Sequence, residues 1–310
     1  MLLFVFTPLQ EASRQLLKNG LPADFELVFR ADVSEDEQRS ALNRADFILG
    51  NPPAAWFDAE LPNLKWWQLD SAGFDAYRGV TVLCPVTNMG DFFAWPCAET
   101  IVGGVLALYR KLNELAVLQT QSRWVGAALR PSMQLMRGKK VVILGAGTIG
   151  QVTRQLLTAF ECPIQTLART NPEAELHSVE ELKAVLPQTD VVISTLPGSA
   201  QGFFTAELIA AMQPGSVFAN VGRGSTVDEP ALIEALQNGH LGGAVLDVTA
   251  TEPLPADSPL WTLPNVILTQ HTGGGQAGEE SGKVELFLQN LTRLQQGEPP
   301  LNRVELAQGY

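Results

Sequence analysis

The sequence predicts an α/β protein with two doubly wound parallel-sheet domains, one of which is inserted into the other. Three observations support this fold class. Short apolar runs alternate with helical stretches along almost the whole chain, as in strands joined by crossover helices. A length of 310 residues corresponds to about two domains of roughly 150 residues each. The glycine-rich turn Gly145-Ala-Gly-Thr-Ile-Gly150 lies between a predicted strand and a predicted helix.

The N-terminal part of the chain supplies most of the first domain. Strands are predicted at 2–6, 26–29, 47–49 and 66–69, and helices at 9–18 and 35–44. The second helix begins at the capping box Ser34-Glu-Asp-Glu37, a pattern that satisfies the unpaired backbone N–H groups of a helix start. Strands and helices that alternate at this spacing favour a parallel sheet.

A change of pattern at Trp95-Pro96 marks the connection between the two domains. One continuous helix is expected from 97 to 118, and Pro96 suits a first helical turn because the missing N–H needs no partner there. The segment 123–138 is irregular. The second domain then begins at Lys140.

Six strands and the helices between them are predicted after Lys140. The strands are expected at 141–144, 164–167, 191–194, 216–220, 243–248 and 266–269. The helices are expected from the glycine-rich turn to about 160, after the cap Ser178-Val-Glu-Glu181, at 205–212 and at 229–238. A last helix at 277–296 returns to the first domain.

Charge and composition exclude several classes of protein. Lys and Arg number 21 against 33 Asp and Glu, a net charge of −12, which argues against nucleic acid or an anionic membrane surface as a partner. The apolar runs are too short to span a bilayer, and residues 1–6 lack the basic start of a signal peptide. Cys84, Cys97 and Cys162 are odd in number and have no CxxC spacing, so we expect packing residues, no disulfide, no metal site and a reducing, cytoplasmic compartment.

The glycine-rich turn has the spacing of a dinucleotide-binding loop. Gly145 allows a tight turn, Gly147 lets the backbone approach a pyrophosphate, and Gly150 lets the helix pack closely on the strand. The N-terminus of the following helix offers unpaired N–H groups and a positive dipole end to phosphates. The motif alone is weak evidence, but its place between strand and helix favours a bound dinucleotide.

The end of the next strand bears on which dinucleotide binds. An acidic residue about 20 positions after the glycines usually binds the 2′-hydroxyl of NAD. Here Ala168 is followed by Arg169 and Thr170, with no carboxylate at 167–170. A guanidinium and a hydroxyl are suitable donors for a 2′-phosphate, which favours NADPH over NADH. The alternative is a loop arginine that only contacts solvent.

Three polar residues follow three successive strands of the second domain. Arg223 follows the strand at 216–220, Glu252 the strand at 243–248, and His271 the strand at 266–269. Ligands of open parallel sheets bind beyond the carboxyl ends of the strands, so the three can converge. Arginine can grip a carboxylate with two N–H groups, histidine can exchange a proton near neutral pH, and a carboxylate favours the charged imidazole. Each residue alone could be structural, and we expect His177 and His240 to be so.

The chain resembles the D-isomer-specific 2-hydroxyacid dehydrogenase family over essentially its whole length. Its C-terminal stretch Asn302-Arg-Val-Glu…Gly309-Tyr310 is similar to the glyoxylate/hydroxypyruvate reductase branch. The main matching stretches are Leu144-Gly-Ala-Gly-Thr-Ile-Gly150, Asn220-Val-Gly-Arg-Gly-Ser-Thr-Val-Asp-Glu229, Leu246-Asp-Val-Thr-Ala-Thr-Glu-Pro-Leu-Pro255 and Pro264-Asn-Val-Ile-Leu-Thr-Gln-His271.

The resemblance implies roles for individual residues. Arg223 would bind the keto acid, Glu252 would pair with the imidazole, and His271 would be the acid/base. Ala72 and Gly73 would take the substrate carboxylate with their backbone N–H groups, although a plain glycine turn is the alternative. Asp247 would hold the nicotinamide carboxamide. The cofactor-binding set would comprise Gly145, Gly147, Thr148, Ile149, Gly150, Arg169, Thr170, Leu196, Pro197, Val221 and Asp247.

The resemblance also implies an activity and an organisation. Residues 1–94 and 277–310 would form the substrate-binding (catalytic) domain, and residues 95–276 the dinucleotide-binding, Rossmann-like domain. The expected reaction is hydride transfer from NADPH, with NAD as the alternative cofactor, to a small 2-keto acid such as glyoxylate or hydroxypyruvate, giving the D-2-hydroxy acid. A homodimer formed through the connector region is expected. The rival functions are a cofactor-sensing, corepressor-like protein and NAD-dependent oxidation of a D-2-hydroxy acid.

Two residues depart from the family pattern. Gln270 stands where proline usually precedes the histidine. Phe74 stands where a smaller residue is common, so we expect it to narrow the substrate pocket.

Overall fold

The computed structural model describes residues 1–309 and confirms the predicted fold class, with two parallel-sheet α/β units. The first unit comprises Met1–Phe92 and the chain from Gln276 onward, and the second comprises Phe93–Gly275. The boundaries expected from the sequence, after residues 94 and 276, differ from these by two residues and one residue. Tyr310, which ends the C-terminal stretch compared with the reductase branch, lies outside the described residues.

The strands and helices follow one another along the chain much as predicted. The strands are β1 (Leu2–Val5), β2 (Glu26–Phe29), β3 (Phe47–Leu49), β4 (Trp66–Gln68), β5 (Val86–Thr87), β6 (Val141–Leu144), β7 (Ile164–Leu167), β8 (Val191–Ser194), β9 (Val217–Asn220), β10 (Gly243–Leu246), β11 (Val266–Leu268) and β12 (Arg303–Val304). The helices are α1 (Glu11–Gly20), α2 (Glu35–Arg44), α3 (Ala94–Tyr109), α4 (Leu112–Thr120), α5 (Thr148–Thr158), α6 (Val179–Val185), α7 (Ala206–Ala211), α8 (Glu229–Gln237) and α9 (Glu279–Gln295).

The first unit is a six-stranded sheet in the order β12-β5-β4-β3-β1-β2. All neighbouring pairs are parallel except β12, which pairs antiparallel with β5. Both faces of the sheet are covered: β1 supplies Phe4 to one buried cluster and Val5 to the other. Burial on both faces explains why these strands read as continuous apolar runs.

Helix α9 belongs to the first unit, although it follows the second unit in sequence, and it packs on the sheet of the first unit. Phe287 stacks on Trp66 with ring centroids 4.7 Å apart. Asn290 is fully buried, donates from Nδ2 to Gln68 Oε1 at 3.0 Å, and accepts from the Leu301 N–H at 2.7 Å. An aromatic stack and a satisfied polar side chain therefore fix this helix to the sheet.

The second unit is a six-stranded, all-parallel sheet in the order β11-β10-β9-β8-β6-β7. The strand order reverses between β6 and β8, because β7 pairs with one side of β6 and the next strand, β8, pairs with its other side. In doubly wound sheets the ligand crevice lies beyond the carboxyl ends of the strands at such a reversal. The glycine-rich turn after β6 is located at this point.

The predicted single helix at 97–118 was wrong. The chain forms α3 and α4, and Lys111 between them has φ 59°. A residue in the left-handed region cannot continue a right-handed helix. The sequence Arg110-Lys111 contains neither glycine nor proline, so no breaker residue marks the interruption.

Two short strands of the first unit were not predicted. β5 and β12 contain two residues each. They pair with each other, and β5 also pairs with β4, so β12 is the edge strand. An alternating pattern needs at least four residues to be recognised, so such strands carry no sequence signal.

Within residues 1–309, no helix is both long and apolar enough to cross a membrane. The cysteines Cys84, Cys97 and Cys162 are free thiols. Burial raises the pKa of Cys84 to about 11 and that of Cys97 to about 12. These two thiols stay protonated near neutral pH and act as packing groups.

Candidate active site

The three glycines after β6 occupy three different environments. Gly145 has φ 106°, a conformation that side chains other than glycine rarely adopt, and a Cβ there would lie 2.7 Å from Thr195 Oγ1. A Cβ on Gly150 would overlap the carbonyl oxygen of Gly145. A Cβ on Gly147 would meet no atom within 4 Å. The first and third glycines are therefore required by the turn and by helix packing, and the second borders open space.

Helix α5 begins at Thr148, directly after Gly147, so its first N–H groups, which have no partner within the helix, follow the glycine that borders open space. Thr148 and Ile149 are the first two helical residues. Thr195, which directly follows β8, stabilises the glycine-rich turn, since its hydroxyl donates to the Leu144 carbonyl at 3.0 Å. Main-chain donors, a positive dipole end and the space at Gly147 fit the pyrophosphate of a dinucleotide.

The end of β7 carries the residues expected to select the cofactor. Arg169 and Thr170 are both exposed, and Ala168 before them is half-buried. A backbone hydrogen bond holds the main chain there, since the Ala168 N–H donates to the Leu176 carbonyl at 3.0 Å.

The loops that follow β8, β9 and β10 touch through their main chains. A Cβ on Gly222 would lie 2.7 Å from the Leu196 nitrogen, and one on Gly224 would lie 2.6 Å from the Ala250 nitrogen. Only glycine permits such close approach. These two glycines therefore bring together the loop with Leu196 and Pro197, the loop with Arg223, and the loop that leads to Glu252.

Arg223 is located in a loop whose backbone is held by buried polar groups. The fully buried Asn220 accepts from the Gly222 N–H at 3.0 Å and donates to the Arg223 carbonyl at 3.1 Å. Thr226 Oγ1 donates to the same carbonyl at 2.6 Å, and Arg223 Nη1 donates to the Gly222 carbonyl at 2.9 Å. Val221, expected to contact the cofactor, has its side chain buried in the core below this loop.

The structure pairs His271 with Glu252. His271 Nδ1 lies 2.6 Å from Glu252 Oε2, and Glu252 Oε1 accepts from the Thr249 N–H at 3.0 Å. The side chains are 52% and 37% exposed, so solvent reaches both. A carboxylate whose second oxygen is fixed by the backbone can hold an imidazole in one orientation.

A buried carboxylate holds the loop that carries His271. Asp247 is 4% exposed, and its Oδ1 accepts from Thr269 Oγ1 at 2.6 Å and from the backbone N–H groups of Thr272 at 3.0 Å and Gly273 at 2.9 Å. The Asp247 carbonyl also accepts from the His271 N–H at 2.6 Å. Sequence reasoning assigned Asp247 to the cofactor only and missed this anchoring role, since no local pattern signals it.

Gln270 and His271 are consecutive residues in the left-handed region, with φ 55° and 56°. Proline has φ near −65°, so the usual family residue could not adopt the conformation that Gln270 has here. Non-glycine residues with positive φ are strained and persist only where neighbouring contacts hold them. The hydrogen bonds to Asp247 provide that restraint.

A cavity of about 400 Å³ adjoins the pair within the second unit. Its polar lining includes Asp247, Glu252 and His271. Leu254, Trp261 and several other apolar residues form the rest of its wall. The cavity is large enough for a small organic acid and places the imidazole at its wall.

The loop after β4 in the first unit is held through its side chains and carbonyl groups. Asn51 Nδ2 donates to Ser71 Oγ at 2.9 Å, Ser71 Oγ donates to the Gly73 carbonyl at 2.7 Å, and Asn88 Nδ2 donates to the Ala72 carbonyl at 2.6 Å. Within residues 1–309, these contacts use the carbonyl groups of Ala72 and Gly73 and not their N–H groups. Sequence reasoning missed both asparagines, which follow β3 and β5.

The expectation for Phe74 was wrong. Its side chain is only 2% exposed and belongs to the hydrophobic core of the first unit together with Leu69 and Tyr77. A ring buried in this core packs against other core residues and does not narrow a substrate pocket.

The other histidines lie apart from the pair. His240 Nε2 is 3.2 Å from the Ile209 carbonyl oxygen, and His177 Nδ1 is 2.9 Å from the Ala168 carbonyl oxygen. Among the described residues, no group of three or more His, Cys, Asp or Glu side chains has the arrangement of a metal site.

Comparison with known proteins places this site in a family. The model for "D-isomer specific 2-hydroxyacid dehydrogenase, NAD binding domain" matches residues 102–273. Glyoxylate/hydroxypyruvate reductase A of Salmonella typhimurium is 33% identical over 297 residues, which cover 93% of this chain and 88% of the relative.

Solved structures give the same result. A D-isomer specific 2-hydroxyacid dehydrogenase family protein from Aeromonas salmonicida aligns with TM-score 0.83 and 27% identity, covering 98% of this chain and 99% of that one. A D-isomer specific 2-hydroxyacid dehydrogenase from Xanthobacter autotrophicus, solved with NADPH and MES, aligns with TM-score 0.80 and 28% identity, covering 99% of each chain.

Proposed function

Because this chain belongs to the D-isomer specific 2-hydroxyacid dehydrogenase family and is an oxidoreductase, we propose that it reduces a small 2-keto acid to the D-2-hydroxy acid with NADPH. Glyoxylate, whose product is achiral, and hydroxypyruvate are the proposed substrates. The contact between His271 and Glu252 at the cavity wall carries this proposal, because reduction of a carbonyl group requires a proton for its oxygen.

The tautomer of His271 follows from this contact. A carboxylate only accepts hydrogen bonds, so Nδ1 carries a proton and donates to Glu252. Nε2 is then the nitrogen that gives its proton to the substrate oxygen. Asp247 acts as a positioning residue, since it holds the loop on which the imidazole lies.

When bound, the nicotinamide would supply a hydride to the carbonyl carbon. Gly145, Gly147, Thr148, Ile149 and Gly150 would hold the pyrophosphate. Leu196, Pro197 and the main chain of Val221 would border the cofactor, and Asp247 would hold its carboxamide. The open space at Gly147 and the donors at the start of α5 support the assignment of the pyrophosphate site.

In the second unit, Arg223 is the proposed ligand of the substrate carboxylate, and in the first unit the N–H groups of Ala72 and Gly73 are the proposed carboxylate donors. Support for Arg223 comes from its fixed backbone, and support for the loop comes from the carbonyl groups that Asn88 and Ser71 engage. A planar guanidinium can bind the carboxylate with two parallel hydrogen bonds and can polarise the adjacent carbonyl.

The proposed preference for NADPH rests on Arg169 and Thr170, which are exposed at the end of β7 where the 2′-phosphate of the cofactor would lie. The Xanthobacter relative was solved with NADPH, which is consistent with the same preference here.

We also propose a homodimer and a reducing, cytoplasmic location. Several apolar side chains of α4 and the segment after it are exposed, among them Leu112, Val117 and Trp124, the last at 96%. A partner subunit that covered these apolar groups would remove them from water. The three free cysteines support a reducing compartment.

The test is a steady-state assay with a panel of 2-keto acids and uncharged carbonyl compounds, each with NADPH and NADH. We expect glyoxylate or hydroxypyruvate with NADPH to give the highest kcat/KM. Tight NADPH binding without turnover of any panel member would favour a cofactor-sensing protein. Faster oxidation of D-2-hydroxy acids with NAD would favour the oxidising alternative.

A further inference from the structure

His177 is held against the end of the strand from which Arg169 and Thr170 extend. Its Nδ1 is 2.9 Å from the carbonyl oxygen of Ala168, the residue that precedes Arg169. The main chain fixes this position, since the Ala168 N–H donates to the carbonyl of Leu176, next to the histidine. An imidazole therefore lies beside the residues proposed to meet the 2′-phosphate.

This contact defines which nitrogen can respond to a ligand. A carbonyl oxygen only accepts, so Nδ1 of His177 carries a proton and donates. Nε2 is the nitrogen that this contact leaves available. The side chain is exposed, so Nε2 is accessible to a ligand from solvent. Imidazole changes its charge between about pH 5 and 8, the range in which a phosphate monoester is anionic.

Several charged groups lie in the loop and the helix start around His177. Glu181 on α6 accepts from the backbone N–H groups of His177 at 2.6 Å and Ser178 at 3.3 Å. Glu175, two residues earlier, is paired with Arg154 at 2.6 Å. The remaining charges of this loop and helix start are the exposed side chains of Arg169, Glu173 and Glu180.

The balance of these charges changes when an anion binds. A phosphate that meets both Arg169 and a protonated His177 would pair with each of these cations.

We propose that His177 is a second group that recognises the 2′-phosphate, and that its protonation strengthens the preference for NADPH over NADH as the pH falls. This inference rests on the proposed cofactor preference and adds to it a residue and a pH dependence. The sign follows from linkage: a bound phosphate favours the imidazolium, so the gain in affinity is present at low pH and is lost as the imidazole deprotonates.

The test measures Kd for NADPH and NADH at about pH 6 and pH 8.5 in the wild type, in His177→Asn and in the control His240→Asn. Asparagine keeps a donor for the Ala168 carbonyl but has no second nitrogen to protonate. The ratio of variant to wild-type Kd cancels the titration of the phosphate itself. For NADPH we expect this ratio to be about 3 at pH 6 and about 1 at pH 8.5, the scale of an exposed ion pair.

The controls separate this inference from the proposed function. NADH binding and Tm should be unchanged in His177→Asn, and His240→Asn should bind both cofactors like the wild type. If the ratio of variant to wild-type Kd for NADPH is the same at both pH values while the wild type still prefers NADPH, only the role of His177 is overturned. Equal binding of NADPH and NADH by the wild type at both pH values overturns the cofactor preference and the inference with it. If His177→Asn does not fold, His177→Gln is measured in the same way and judged by the same ratio.

Discussion

His271 Nδ1 lies 2.6 Å from Glu252 Oε2, and the other oxygen of that carboxylate accepts from the backbone N–H of Thr249. The carboxylate thus has a fixed position from which it can stabilise a charged imidazole. Both side chains are more than a third exposed, so solvent weakens the attraction, and orientation is the larger part of the effect.

Replacement of Glu252 by glutamine should shift the pH profile of the reaction. Keto-acid reduction requires the protonated imidazole, and the carboxylate favours that form. Without it, the imidazole loses its proton at lower pH, so the high-pH limb of kcat/KM should move to lower pH in Glu252→Gln. The measurement is the pH–rate profile of both enzymes, and an unmoved limb would contradict the role of Glu252.

Removal of the imidazole should affect turnover and spare cofactor binding. We expect His271→Ala to lower kcat by roughly 10²–10⁴, the usual contribution of a positioned proton donor. The Kd for NADPH should remain unchanged. His240→Ala, another histidine variant of the second unit, serves as the matched control and should retain wild-type kcat. An active His271→Ala enzyme would show that the proton comes from elsewhere.

Loss of the guanidinium at Arg169 should weaken one cofactor only. One or two charge-assisted hydrogen bonds to the 2′-phosphate are worth about 1.5–3 kcal/mol each, so Arg169→Ala should raise the Kd for NADPH by roughly 10-fold or more. NADH should bind as before. Arg137→Ala removes the same charge from an exposed ion pair with Glu161 and controls for net charge. Equal losses for both cofactors would disprove the assignment.

The carboxylate of the substrate should be essential to recognition. A carbonyl compound without an anion would lose the charge-assisted hydrogen bonds to Arg223, worth about 1.5–3 kcal/mol each, so kcat/KM should fall by roughly 10³. We expect glyoxylate to exceed acetaldehyde by that factor. Arg223→Lys should lose most of the difference, because an ammonium lacks the planar two-pronged geometry. Equal rates for glyoxylate and acetaldehyde in the wild type would contradict a carboxylate clamp.

The left-handed conformation of Gln270 leads to opposite expectations for two substitutions. Gln270→Gly should keep wild-type kcat, because glycine adopts φ 55° without strain. Gln270→Pro cannot adopt this angle and should displace His271, lowering kcat by about 100-fold. Both kcat and Tm should be measured. Wild-type activity in Gln270→Pro would show that the loop has another accessible conformation.

Local patterns were sufficient to predict most of the fold and one contact of the candidate site. The glycines of the β6 turn, the apolar strands and the capping boxes at Ser34 and Ser178 depend on neighbours in sequence, and both boxes are formed in the structure. His271 and Glu252 were expected to meet because strand ends share one edge of a sheet, and they do.

Contacts between distant segments could not be predicted in this way. The approach of Gly222 to Leu196 and the anchoring of the His271 loop by Asp247 join residues that are 22 or more positions apart. Asn51 and Asn88 reach the loop at 71–73 from the ends of two other strands. Such partners depend on tertiary geometry, for which a single sequence has no periodic signal.

The packing of α9 on the first sheet has a consequence for the order in which the protein is made. Trp66 emerges from the ribosome long before Phe287, the ring that stacks on it. The second unit, by contrast, is one uninterrupted segment, Phe93–Gly275, and can complete its core as soon as that segment has been translated. Domains usually mature in the order of synthesis. In this chain the portion translated first is completed last, and until α9 arrives a face containing Trp66 remains open to chaperones and to aggregation.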